Sequence, residues 1–196
     1  MNIGLYFGSF NPVHHGHLII ANHILNEGKV RELWFVVSPH NPFKERSSLL
    51  NEQHRLQLVR LAIDTTPGMR ASNIEFNLPK PSYTIDTLTY LEEKYPKHTF
   101  CIVMGSDGFQ NINKWKNAEQ LLKNTSIIIY KRPGFDIKEK LPANIVVVDA
   151  PLLEISSTHI RKLIKEKKSI RYLVPDTVSD EIEKQQYYSS SLENKS

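Results

Sequence analysis

Six short runs of apolar, β-branched and aromatic residues recur along the chain, at Ile3–Phe7, Leu33–Val37, Arg70–Phe76, Thr99–Met104, Ser126–Tyr130 and Ile145–Val148. Segments with apolar residues at three- and four-residue spacing fill the first four intervals: His17–Glu27, Glu52–Asp64, Ile85–Lys94 and Ala118–Lys123. Gly28, the Pro67-Gly68 pair and Pro96 supply stops. Strand and helix in alternation build βαβ units, and several runs are apolar on both faces, as buried parallel strands are. The pattern predicts a doubly wound parallel α/β sheet. After the last run, Thr158–Lys167 and Pro175–Tyr188 read as two more helices, the second with Pro175 and Asp176 suited to a first turn. The expected organisation is a core over residues 1–155, a small C-terminal helical subdomain over 156–188, and an unstructured polar tail over 189–196. No internal repeat or Gly/Ser linker divides the chain.

The 196 residues contain a single cysteine, Cys101, inside an apolar run, so neither an internal disulfide nor a multi-cysteine metal site can form. That usage fits a reducing cytoplasm. No apolar stretch approaches the roughly 18 residues of a membrane span, and the N-terminus has no basic stretch leading into a long apolar one. The net charge of +4 is spread along the chain. Only Lys162–Arg171 gathers basic residues, which is thin support for nucleic-acid binding.

The most chemical segment is Gly8-Ser9-Phe10-Asn11-Pro12-Val13-His14-His15-Gly16-His17, set where the first strand gives way to the first helix. In an open α/β sheet ligands bind in that crevice, and a helix N-terminus offers an anion free N–H groups and the positive end of a dipole. His14 and His17 flank the turn and would donate to phosphate oxygens, with charge that adapts near neutral pH. A metal reading of the cluster His14, His15, His17 and His23 lacks a cysteine or paired carboxylate to complete it, so no metal ligands are assigned. Neither a P-loop nor a G-x-G-x-x-G pattern occurs. Near the other end of the core, Ser156, Ser157 and Thr158 are good helix caps, and Arg161 follows within a turn, so a second helix terminus can face the same anion.

These two segments resemble the H-x-G-H and I-S-S-T-x-I-R motifs of the nucleotidyltransferase superfamily. The resemblance implies a Rossmann-like fold in which His14, His17 and Arg161 serve catalysis. It further implies an ATP site formed by Gly8, Ser9, Phe10, Lys44, Gly105, Asp107, Arg132, Ser156, Ser157 and Thr158. Ser82-Tyr83-Thr84-Ile85-Asp86-Thr87-Leu88, Gly105-Ser106-Asp107 with Trp115, and Lys131-Arg132-Pro133-Gly134 are similar to elements of the bacterial nicotinate-nucleotide adenylyltransferases. The implied reaction transfers the adenylyl group of ATP, with Mg²⁺, to nicotinate mononucleotide. Related adenylyltransferases acting on nicotinamide mononucleotide or phosphopantetheine are the alternative. An electron-poor pyridinium would stack on Trp115, and its carboxylate would seek the Thr84 hydroxyl and backbone N–H groups beside Tyr83. Read without the resemblance, Thr84 is equally a helix cap and Trp115 a partly buried core aromatic. No Ser-His-Asp or Cys-His arrangement suggests a covalent intermediate, so the expected catalysis is positioning and charge stabilisation.

Overall fold

Successive side chains of a strand face opposite sides, and here both sides are covered. In the computed structural model, which describes residues 1–39, 49–137, 141–151 and 153–189, the strands are β1 (Asn2–Gly8), β2 (Glu32–Val37), β3 (Met69–Ser72), β4 (Thr99–Gly105), β5 (Ser126–Tyr130) and β6 (Ile145–Val148). All pairs are parallel and the order is β3-β2-β1-β4-β5-β6. The order reverses between β1 and β4, and that reversal opens the crevice at their carboxyl ends.

The helices are α1 (His15–Asn26), α2 (Glu52–Ile63), α3 (Thr84–Lys94), the short α4 (Ser106–Phe109), α5 (Ala118–Asn124), α6 (Ser157–Lys165) and α7 (Asp176–Gln185). Tyr6, Phe35, Val103 and Ile128 pack on one face with Ile24 of α1, Leu56 and Val59 of α2, Ile160 of α6 and Val178 and Ile182 of α7. Leu5, Trp34, Ile102 and Ile129 pack on the other with Leu88 and Leu91 of α3 and Leu121 of α5. The C-terminal helices therefore share the core of the sheet. α1 buries Gly16, Ile20 and Ile24 at four-residue spacing and stops where Gly28 turns to φ 64°.

Three expectations are corrected. The run Arg70–Phe76 is a strand only to Ser72, because Asn73 leaves extended backbone and Ile74–Asn77 closes a 3₁₀ turn that buries Glu75. The last helix ends at Gln185 rather than Tyr188, since Gln186 and Tyr188 adopt positive φ and Tyr187 turns in to hydrogen-bond His54 Nδ1 at 2.8 Å. Likewise the helix expected to reach Lys167 stops at Lys165, with Lys167 at φ 54°. Of the tail expected at 189–196, only Ser189 lies among the described residues.

One residue of α2 ties this frame to the crevice. Arg55 is fully buried; its Nε donates to the Leu50 carbonyl at 2.7 Å, Nη1 to those of Ser9 at 2.6 Å and Ser38 at 2.9 Å, and Nη2 to that of Pro39 at 3.1 Å. A guanidinium offers five N–H donors in a rigid fork, so one side chain joins the loops that leave β1 and β2. Burial lowers its pKa, yet an arginine keeps its charge. Arg55→Met fills the space but strands four carbonyls. It should cost about 2–4 kcal/mol, read as a lower urea midpoint with an unchanged m-value; an unchanged midpoint would count against the tie.

Candidate active site

The crevice at the strand reversal is a cleft of about 370 Å³. Gly8, Ser9 and Phe10 line it from the end of β1, Gly105 and Asp107 from the end of β4, and Tyr130 from β5. His17 of α1, Ser157 of α6, Tyr83 and Thr84 at the start of α3, and Trp115 complete it.

The turn after β1 is built around a buried phenylalanine. Phe10 has φ 43° and is 2% exposed, and its ring meets Tyr6 at 5.7 Å and His17 at 5.1 Å, both edge-on. A Cβ on Gly8 would stand 2.8 Å from that ring, so the close approach requires glycine. With the ring in the core, Phe10 lines the cleft while exposing almost no surface.

The helix α1 begins at His15, with His14 at the cap position, two residues earlier than expected. The His14 backbone N–H donates to His17 Nδ1 at 3.3 Å, so a neutral His17 carries its proton on Nε2 and presents a donor there. The two rings stack with centroids 3.7 Å apart. His17 lines the cleft, whereas His14 lies behind it, 5% exposed, with Nδ1 unpartnered among the described residues. Burial, aided by the charges of Arg132 and His15, lowers the His14 pKa to about 4. That corrects the expectation of adaptable charge near neutral pH: at pH 7 this ring is neutral, because a buried cation without a partner loses its hydration uncompensated.

Residues 156–161 are pinned to the turn after β1. Ser156 caps α6 by accepting from the His159 N–H at 3.2 Å, and Ser157 Oγ donates to the Pro12 carbonyl at 2.9 Å. Arg161 Nη1 donates to the Asn11 carbonyl at 2.8 Å, while Nη2 reaches Thr158 Oγ1 at 3.3 Å. Arg161 thus holds the turn, and Ser157 alone of this group lines the cleft. Arg132 Nε stands 3.6 Å from Asp107 Oδ1, and its backbone N–H donates to Ser106 Oγ at 2.9 Å, fastening the β5 loop to α4. A Cβ on Gly105 would crowd both the Asp107 carboxylate and the Tyr130 ring. Lys44 falls within 40–48, outside the described residues.

Around Thr84 the structure decides between open readings. Thr84 is the first helical residue of α3 and Tyr83 holds the cap position, so Thr84 is not the cap, and it lines the cleft. Trp115 both lines the cleft and packs against the core beneath. Tyr83 is 37% exposed, with Lys116 Nζ 4.9 Å from its ring centroid and the same ammonium paired to Asp86 at 2.8 Å.

Sequence reasoning missed Arg55, Glu75 and Tyr6. The first had a signal: Arg55 shares a helix face with Leu56, Val59 and Ile63, where a charge is out of place. Glu75, between Ile74 and Phe76 in an apolar run, had a similar one. Tyr6, whose hydroxyl lies 3.3 Å from that of Tyr130, had none.

Residues 5–163 match the family model described as cytidylyltransferase-like. The chain is 51% identical over 193 residues to a probable nicotinate-nucleotide adenylyltransferase of Cytophaga hutchinsonii, covering 97% of this chain and 100% of the relative. It is 47% identical over 191 residues to that of Flavobacterium johnsoniae, covering 96% and 99%. A Plasmodium falciparum nicotinic acid mononucleotide adenylyltransferase solved with NaAD superposes with a TM-score of 0.82 at 26% identity, covering 95% of this chain and 97% of that one.

The depressed His14 pKa carries a stability consequence. The unfolded chain binds a proton on His14 near the ordinary 6.5 and the folded chain only near 4. Between those values the unfolded state holds more protons, so folding stability falls as pH drops, by about 3 kcal/mol across the window. Urea midpoints at about pH 7 and about pH 4.5 should converge in a His14→Gln variant relative to the wild type, and parallel losses in the two proteins would refute the buried neutral ring.

Proposed function

We propose, from the premise that the chain belongs to the cytidylyltransferase-like family and within it to the nicotinate-nucleotide adenylyltransferases, that it joins ATP and nicotinate mononucleotide into nicotinate adenine dinucleotide with release of pyrophosphate. One observation carries the site assignment: a single cleft is lined by His17 and Ser157, from the two phosphate motifs, and by Thr84 and Trp115, from the acceptor motifs.

The 5′-phosphate oxygen of the acceptor attacks the α-phosphorus of ATP in line, and the bond from that phosphorus to the bridging oxygen of the β-phosphate breaks. The electron pair leaves with pyrophosphate. Because the attacking phosphate is already anionic, no side chain need remove a proton, and the protein's work is to position the reactants and stabilise charge. His17 Nε2–H donates to a phosphate oxygen, with neutral His14 and Phe10 holding its ring. The terminus of α6 at Ser157 and Thr158, with Lys44, receives the leaving pyrophosphate. Arg161 keeps that terminus against the turn, and Gly105, Asp107 and Arg132 border the nucleoside. Among the described residues no three His, Cys, Asp or Glu side chains converge on a metal site. Mg²⁺ enters as part of the substrate, the ATP chelate, bound through phosphates.

The acceptor ring stacks on Trp115 and directs its carboxylate to Thr84 beside Tyr83. We take residues 1–155 as the nucleotide-binding core and 156–188 as the part that closes the phosphate site. No helix among the described residues is long and apolar enough to cross a membrane. Its place is the cytoplasm, where ATP is supplied and a lone thiol stays reduced.

Pyrophosphate release with Mg·ATP and nicotinate mononucleotide tests the reading directly. His17→Ala should keep the fold by circular dichroism and lose on the order of 10²–10³ in kcat; near-normal turnover would defeat the role of His17. Trp115→Ala should raise the acceptor KM about tenfold while the ATP KM holds, as expected when one stacking partner is removed. An unmoved acceptor KM would remove the stacking role.

A further inference from the structure

The cleft wall carries one carboxyl for which the reaction has no use. Glu75 lies in the 3₁₀ turn Ile74–Asn77, is 3% exposed, and counts among the residues lining the cleft. Its Oε1 accepts from Thr87 Oγ1 at 3.0 Å, and Oε2 is buried without a hydrogen-bond partner among the described residues. Thr87 stands three residues after Thr84 on α3, and side chains at that spacing share a helix face with Cβ atoms about 5–6 Å apart. The carboxyl is thereby held within about one helical turn of the hydroxyl assigned to the acceptor's ring carboxylate.

An ionised carboxylate in that position has only hydroxyl donors beside it and little contact with solvent. Burial raises the Glu75 pKa, and the hydroxyls of Ser38, Thr87 and Ser82 draw it only part of the way back. A negative ring substituent arriving nearby adds like-charge repulsion, which pushes the same way. A neutral carboxamide adds none.

Building on the proposed function, we propose that Glu75 is a specificity-determining residue that must hold a proton for the acid acceptor to bind, so that preference for nicotinate over nicotinamide mononucleotide depends on pH. Among the described residues, the other charged or titratable groups on the cleft wall are Tyr6, His17, Tyr83, Asp107, Lys114, Lys116 and Tyr130, with Asp86 paired to Lys116. Their influence remains when Glu75 is replaced. Ionisations of ATP and of the acceptor phosphate are common to both acceptors and cancel in a ratio of rates.

The experiment measures kcat/KM of the whole chain for nicotinate and nicotinamide mononucleotide with saturating Mg·ATP, from about pH 4.5 to about pH 9. As pH rises and Glu75 ionises, the acid-to-amide ratio should fall about tenfold or more, the effect of a like charge at this range in a partly shielded site. In Glu75→Gln, which can keep the Thr87 bond through Oε1, the ratio should stay at its low-pH value throughout. A flat wild-type ratio, or the same slope in Glu75→Gln, overturns the proposal. Should Glu75→Gln fail to fold, Thr87→Val removes the donor that favours the ionised form, and the fall should move to higher pH; an unmoved profile overturns it. Pyrophosphate release with neither acceptor would overturn the functional reading itself and this inference with it, an outcome distinct from turnover with a pH-independent ratio.

Discussion

The architecture of the cleft depends on one buried cation. Arg55 spends its guanidinium on four backbone carbonyls, at Leu50, Ser9, Ser38 and Pro39, and no carboxylate pairs with it among the described residues. A parallel sheet positions its strand ends well, but the loops beyond them have no ladder to satisfy their carbonyls. The arginine supplies that satisfaction from below, and so converts two loops into fixed walls. Its charge, kept in the interior by these dipoles, also lies beneath a site proposed to receive a polyanion.

A second constraint acts at the turn itself. Phe10 buries its ring under His17, His14 stacks behind, and the backbone N–H of His14 takes up His17 Nδ1. These contacts leave one imidazole on the cleft wall in a set tautomer. The two histidines of one short motif are thus placed unequally: His17 lines the cleft, and His14 lies behind it with a neutral ring. The staples from Ser157 and Arg161 to the Pro12 and Asn11 carbonyls bring the far end of the chain onto the same turn. The two motifs are joined through backbone acceptors.

Much of the fold was legible because its signals are local. Strands β1, β2, β4, β5 and β6 fall within a residue or so of the apolar runs, since a strand buried on both faces needs an unbroken apolar segment. Where the reading failed, at Arg70–Phe76, the apolar pattern continued while the backbone turned, and the acid in its midst is the reason the turn is held. The short helix α4 passed unnoticed because four residues carry no period. In the site, His17, Ser157, Thr84 and Trp115 were found by their motifs and do share the cleft; Arg55 and Glu75 were not, because each acts on atoms far off in sequence.

From residue order alone came the parallel α/β class, the strand-to-helix turns and the residue types suited to phosphate and to a flat ring, because periodicity, capping and turn chemistry are properties of neighbours. Only the tertiary structure decided which histidine faces the cleft, that Arg161 grips backbone, and that a carboxyl is buried in the cleft wall. Those outcomes depend on burial and on partners tens of residues away, and it is the environment of a group that sets its charge and its role.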